Sequence, residues 1–382
     1  MAEVVVTGFG VHTAFGEGPA RVRDGVFAGR QEFQRITRFA TNGLRSHVAA
    51  TYDSEETPAV RPVLSHCADT AVEMAELPAG RDTAVLLGTA GDFTALTRFW
   101  RSGGADLTGV GGTVPARLAE ALAVRLGARG PRIAFTNACV ASASALIHGC
   151  RMIASGRVES AVCAGAYLVE EENQAKFDSG WALARDGVVR PFSAARSGLL
   201  LGDGAAAVVL ESAESAEERG AAPLARVVGW GAASDAYHVA RPHPEAKGLV
   251  TAVRAALHRA GDDAGALVDY VNAHGTGTKH NDLAETRGFH EVFGDRAPEV
   301  PISSTKSTTG HLLEASGAVE FVISLLALLD GVVPPTAGFT TADPDCDLDY
   351  VPNEPRRAEL RRALTVNAAF GGANTALLLE RV

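Results

Sequence analysis

The chain has 382 residues, 46% of them hydrophobic and 21% charged, an ordinary globular composition with room for a large buried core and two or so domain-sized units. Its formal net charge of -10 argues against sequence-independent nucleic-acid binding, which needs a basic face. Five cysteines (Cys67, Cys139, Cys150, Cys163, Cys346) form no CxxC pair and no metal-ligand spacing, which fits a reducing cytosol. No basic, apolar leader opens the sequence, and the longest apolar run, Phe321 to Leu329, is too short to span a bilayer. A cytoplasmic protein without a membrane segment is expected.

In chain order, Glu3 to Thr7 reads as a buried strand, with Gly8-Phe-Gly10 as the turn after it. That GxG is not a dinucleotide-binding fingerprint, because Thr13 stands where a third glycine belongs. Asp82 to Gly88 is another buried strand, and Pro115 to Leu126 a helix stopped by Gly127 to Pro131. Ile133 to Phe135 is a short strand leading into Asn137-Ala138-Cys139. Val140 to Ala154, rich in Ala and Ser, is a close-packed buried helix. Strands follow at 158–164 and 205–210, the latter closing a first half.

A second series begins at Ala221 to Trp230, then helix 248–260, strand 268–271, helix 282–293, helix 317–329 and strands 364–367 and 376–380. Two consecutive halves of similar size, 1–215 and 216–382, predict a duplicated, layered α/β architecture.

Cys139 falls at a strand-to-helix turn, where a helix N-terminus favours thiolate by roughly 0.3–1 kcal/mol. A buried structural cysteine is the other reading. His274 follows an apolar strand in Asn272-Ala-His274-Gly-Thr276-Gly-Thr278, and His311 precedes a helix in Lys306-Ser-Thr-Thr-Gly310-His311. Only four (Lys176, Lys247, Lys279, Lys306) of the 35 basic residues are lysine, so a lysine inside a Ser/Thr loop stands out. The two histidines find no third zinc ligand at a familiar spacing, and no GxSxG elbow points to a serine hydrolase. Arg356, Arg357, Arg361 and Arg362 form the densest basic cluster, read as a solvated surface.

Taken in order, Asn137-Ala-Cys139, His274-Gly-Thr-Gly-Thr278, Lys306-Ser-Thr-Thr-Gly-His311 and Asn367-Ala-Ala-Phe-Gly-Gly-Ala-Asn374 resemble the β-ketoacyl-acyl carrier protein synthases. The match is to their Cys-His-His branch, which serves fatty acid and type II polyketide elongation. It runs nearly end to end, from Val4 through Arg190-Pro-Phe and Gly202-Asp-Gly-Ala.

The resemblance implies a thiolase-like fold of duplicated αβαβα layers, commonly dimeric, and an acyltransferase activity. Cys139 would carry the acyl group. His274 and His311 would face a carboxylated extender and polarise its thioester carbonyl while carbon dioxide leaves. Lys306 would tune the site, paired with Glu320. The backbone N–H groups of Cys139 and Phe370 would hold the acyl oxygen, and Thr276 and Thr278 the pantetheine arm.

No metal or organic cofactor would do chemistry, since phosphopantetheine arrives on the acyl carrier protein. That carrier would be one partner. The other would be a second copy of the chain or a ketosynthase-like chain-length factor.

Several positions depart from the family. Glu314 stands at a usual glycine, Ser193 and Ser197 at usual aspartates, and Asp203 at a usual glutamate. The Phe370 loop and the stretch before Cys139 are shorter than usual. Two other readings share the same residues. In one, an acyltransferase passes the Cys139 acyl group to an alcohol or amine without decarboxylation. In the other, the chain is a subunit that works only beside a chain-length factor; an intact Cys139, His274, His311 and Lys306 speak against a non-catalytic member.

Overall fold

The computed structural model describes residues 2–54 and 56–382. Its main sheet is eleven-stranded among those residues. Outward from the middle on one side run Val4–Thr13, Gly204–Ser212, Ser160–Tyr167, Ala84–Gly88 and, at the edge, Arg132–Phe135. On the other side run Ala225–Ser234, Ala373–Arg381, Arg362–Ala368, Tyr270–Asn272 and, at the edge, Ile302–Ser303. Each side begins with two antiparallel pairings and ends with two parallel ones, so the halves repeat one connectivity. They join through a short antiparallel contact, Val5 and Val6 against Arg226 and Ala225.

The strands are buried on both faces, which is why they read as apolar runs rather than alternations. Ala84 and Leu86 face a central core, whereas Val85 and Leu87 face an outer one. In the second half, Leu377 and Leu379 face the central core and Ala376 and Leu378 another outer one. The helices Ala141–Ala154 and Ser316–Asp330 fill the centre between the two sheet halves. Val60–Met74 and Pro115–Leu126 cover one outer face, and Lys247–Arg259 with Lys279–Phe293 the other. This is the layered α/β fold expected from the resemblance.

The small residues after Cys139 set how closely the central layers approach. A Cβ on Gly317 would sit 2.5 Å from the Ala143 nitrogen, and one on Gly88 would sit 2.2 Å from that of Ser142. The Ser142 Oγ accepts the Ala318 N–H at 3.0 Å. One expectation changes. Gly8-Phe-Gly10 is not a turn but the middle of a ten-residue strand, with a bulge between Val6 and Gly8. Both glycines are needed there because the helix Val60–Met74, absent from the sequence reading, lies directly on them. A Cβ at Gly8 or Gly10 would fall 2.2 or 2.1 Å from the carbonyl oxygens of Ala71 and Cys67. No helix among the described residues is long and apolar enough to cross a membrane.

Candidate active site

The edge strand Arg132–Phe135 delivers Cys139 through a tight turn in which Ala138 takes φ 56°. This left-handed conformation is strained for alanine. Cys139 then lies in a short 3-10 turn ahead of the helix Ala141–Ala154. The equivalent edge strand of the second half, Ile302–Ser303, leads into a longer segment carrying Lys306 and His311 before the helix Ser316–Asp330. Because those two helices cross closely, His311 Nε2 comes within 3.2 Å of Cys139 Sγ. On the far side of the ring, His311 Nδ1 is 3.1 Å from the Ser316 hydroxyl. A hydroxyl accepts or donates equally well, so Ser316 supports either tautomer of this imidazole.

His274 follows the strand Tyr270–Asn272 and stands almost perpendicular to His311, ring centroids 5.3 Å apart. Glu285 holds its backbone, accepting the N–H groups of His274 at 2.7 Å and Gly275 at 2.6 Å. The buried His274 Nδ1 has no hydrogen-bond partner among the described residues. Burial, then the Lys306 charge and then His311 hold the His274 pKa well below the usual imidazole range. Burial and Lys306 do the same to His311. Both rings are therefore neutral at physiological pH.

Lys306 itself is buried against Glu320, whose other oxygen accepts the Asn367 side-chain amide at 2.6 Å. A buried ion pair held by a further hydrogen bond avoids the cost of an unmatched charge.

Burial pushes the Cys139 thiol up to about 12; Glu314 adds to the rise and Lys306 opposes it. The lowered thiol pKa expected from the helix terminus is thus overturned by desolvation, which outweighs a terminus effect of roughly 0.3–1 kcal/mol. The resting pair is a neutral thiol beside a neutral imidazole.

Cys139, His274 and His311 open onto one cavity of about 600 Å³. Thr276, Thr278 and Phe370 also line it, the two threonine hydroxyls bonded to each other at 2.8 Å. Phe370 is half exposed, stacked on Phe177 with ring centroids 5.8 Å apart. Lys306 and Glu320 are not part of this lining, and Lys306 acts on both histidines by charge. Among the described residues no group of three or more His, Cys, Asp or Glu could hold a metal ion, and all five cysteines are free and buried.

With this geometry in place, two family models match: "Beta-ketoacyl synthase, N-terminal domain" over residues 57–216 and "Beta-ketoacyl synthase, C-terminal domain" over 224–340. A 3-oxoacyl-[acyl-carrier-protein] synthase 2 of Coxiella burnetii is 33% identical over 99% of this chain and 98% of its own length. The chain belongs to the β-ketoacyl synthase family.

The ketoacyl synthase alpha subunit of the tetracenomycin polyketide synthase of Streptomyces glaucescens is 34% identical over 99% of this chain and 97% of its own. Among solved structures, the ishigamide ketosynthase/chain length factor superposes with a TM-score of 0.91 at 34% identity, covering 100% of this chain and 99% of that one. A type II polyketide acyl-carrier protein in complex with its ketosynthase bound to the hexaketide gives 0.92 at 27%, covering 100% of both chains.

The motifs singled out in the sequence place Cys139, His274, His311, Thr276, Thr278 and Phe370 on the lining of this one cavity. Missing from the sequence reading were Glu285, Ser316 and Phe177. Glu285 was the findable one: it is a carboxylate on the apolar face of the amphipathic helix after His274, and such a group needs buried donors. Ser316 and Phe177 carry no comparable signal.

Two of the departures have plain local roles. Asp203 takes both terminal nitrogens of Arg38 together with the N–H groups of Tyr52 and Val169. Ser193 ties down the Thr340–Thr341 segment. Arg356, Arg361 and Arg362 each pair with an acidic neighbour; Arg356 and Arg361 do so at the surface, whereas Arg362 is largely buried against Glu380.

Proposed function

We propose that this β-ketoacyl synthase performs a decarboxylative Claisen condensation between an acyl group on Cys139 and a malonyl-type acyl carrier protein, in fatty acid or type II polyketide assembly. The 3.2 Å approach of His311 Nε2 to Cys139 Sγ, with His274 at right angles on the same cavity wall, carries the reading. The Cys139 proton passes to His311 Nε2 as sulfur attacks the incoming thioester. The carbon–sulfur bond to pantetheine then breaks, and the departing thiolate recovers the proton.

The extender next enters past Thr276 and Thr278. As its carboxylate leaves as carbon dioxide, the bonding electrons pass into an enolate whose oxygen accepts N–H bonds from His274 and His311. Neutral imidazoles suit this step, because a donor preorganised where charge develops is worth around 10²–10³ in rate. The enolate carbon attacks the acyl-Cys139 carbonyl, held by the N–H groups of Cys139 and Phe370, and Cys139 leaves as thiolate.

Lys306 supports both stages: its charge favours thiolate at Cys139 and keeps the two histidines neutral. Phosphopantetheine enters on the substrate carrier, and no resident cofactor takes part. The likeness to a ketosynthase/chain length factor structure supports a paired protein, with a second copy or a chain-length factor as partner.

The test is to supply an acyl carrier together with malonyl carrier labelled at its free carboxylate. Labelled carbon dioxide should appear only when the acyl donor is present. An acyl adduct on Cys139 that never releases label would overturn condensation and leave a non-decarboxylating acyltransferase.

A further inference from the structure

The cavity onto which Cys139 opens is also lined by side chains that the reaction above does not use. Cys139, His274 and His311 are buried, whereas Trp181, His238, Arg241, Lys279 and His280 on the same lining are exposed and form its mouth. Lys279 is one of four lysines in a chain of net charge -10. Neither Lys279 nor Arg241 has an ion-pair partner among the described residues. His238 Nδ1 accepts the N–H groups of Ala240 at 3.0 Å and Arg241 at 3.2 Å, so the neutral ring keeps its proton on Nε2 as a donor. Lys279 also opens the helix Lys279–Phe293, whose N-cap Thr278 makes no side-chain cap, and its unpaired N–H groups add to the preference for an anion. The carboxylate of the lining, Asp235, is already held by the N–H groups of His243 and Gly248 and by the Asn374 amide.

Trp181 adds a second kind of surface to this mouth. It is 69% exposed and takes φ 60°, a left-handed backbone that is strained for a bulky residue. The guanidinium groups of Arg45 and Arg185 lie over its ring, their Cζ atoms 3.8 and 4.4 Å from the centroid. Arg45 is tied to Asp178, whereas Arg185 has no ion-pair partner among the described residues. An exposed indole stacked with guanidinium is a flat, cationic platform of the kind on which a nucleobase stacks. A pantetheine arm with its single phosphate has no group to match it.

We propose that Cys139 is also acylated directly by acyl-coenzyme A, whose phosphates meet Arg241, Lys279 and His238 and whose adenine lies on Trp181 and its arginines. Coenzyme A extends the pantetheine arm by a diphosphate, a 3′-phosphate and a purine, the groups that this mouth suits and the arm alone lacks. The Cys139 sulfur bonds the acyl carbon, and the carbon–sulfur bond to the coenzyme breaks. The proton of the Cys139 thiol ends on the released coenzyme thiol, so the exchange needs no further reactant. This rests on Cys139 being the acylated residue.

The test is the rate of Cys139 acylation, followed by intact mass, with a hexanoyl group carried on coenzyme A, on 4′-phosphopantetheine, on pantetheine and on an acyl carrier. At equal concentration, coenzyme A should acylate the natural chain at least about tenfold faster than pantetheine, with phosphopantetheine between them. Arg241→Ser with Lys279→Ser should remove the advantage of phosphopantetheine over pantetheine. Trp181→Ala should remove the advantage of coenzyme A over phosphopantetheine. All three side chains are exposed, and an unchanged rate with pantetheine reports that the fold and Cys139 are intact in each variant.

Equal rates with coenzyme A and pantetheine, an advantage already complete in phosphopantetheine, or one untouched by these variants would overturn the proposal and leave the acyl-enzyme intact. Variants that slow only the carrier would also overturn it, and would make the mouth a carrier-docking surface instead. Failure of every donor to acylate Cys139 would overturn the acyl-enzyme reading, and this proposal with it.

Discussion

The two halves of the molecule repeat the same strand order, but they do different work at the same strand ends. In the first half, the edge strand Arg132–Phe135 runs within a few residues into the turn that holds Cys139. In the second, the equivalent strand Ile302–Ser303 is followed by the longer segment bearing Lys306, His311 and Glu314 before its helix begins. The next strand in, Ala84–Gly88, is followed by Thr89, whereas its counterpart Tyr270–Asn272 is followed two residues on by His274. Duplication therefore supplies two facing sets of parallel-strand ends. Specialisation placed Cys139 on one set and His274, Lys306 and His311 on the other. Close helix crossing, set by Gly317 and Ala143, closes the gap between them.

Uncoupling the charge pair behind the second half should have the largest effect. Lys306→Ala strands Glu320 in the core, and the fold should lose about 3–5 kcal/mol in urea unfolding. Replacing both partners by apolar residues, Lys306→Met with Glu320→Leu, should restore much of the stability but not the activity.

The histidines should then separate by stage. His274→Ala should lower condensation by about 10²–10³ while leaving acylation of Cys139 largely intact, since only His311 touches the sulfur. His311→Ala should slow both, read by pre-steady-state acylation and by product formation. Equal effects of the two on acylation would break the division of labour drawn here.

At the helix crossing, Gly317→Ala pushes a methyl toward the Ala143 backbone and should cost about 1–3 kcal/mol. Activity should fall further than stability, because the Cys139–His311 distance depends on that crossing.

The smallest effect is on pH dependence. Both histidines have depressed pKa values in the folded chain. Below about pH 6.5 the unfolded chain therefore binds protons that the folded chain refuses, and stability falls as pH is lowered. The buried acids Glu285 and Asp282, raised to about 8 and about 6, act in the opposite sense. The histidine share is thus the difference between the natural chain and a His274→Asn, His311→Asn variant, which should be less sensitive to acid by up to about 1.4 kcal/mol per pH unit for each histidine.

Those particulars also mark what could be read without coordinates. Apolar runs located the strands because both of their faces are covered, and motif order named Cys139, His274, Lys306 and His311 because chemistry restricts residue choice there. Gly8 and Gly10 misled because their reason lies in a helix distant in sequence. The thiol pKa misled for a related cause: the helix terminus is local and legible, but desolvation is a property of the assembled core. Glu285 and Ser316 act through partners brought together only by folding.

The most direct measurement is the intact mass of the natural chain and of Cys139→Ala, each mixed with an acyl carrier and then with malonyl carrier. The account predicts one acyl adduct on the natural chain, mapped to Cys139, discharged by malonyl carrier into a β-ketoacyl product. It also predicts no adduct on Cys139→Ala. An adduct that survives Cys139→Ala, or a β-ketoacyl product formed without Cys139, would contradict it.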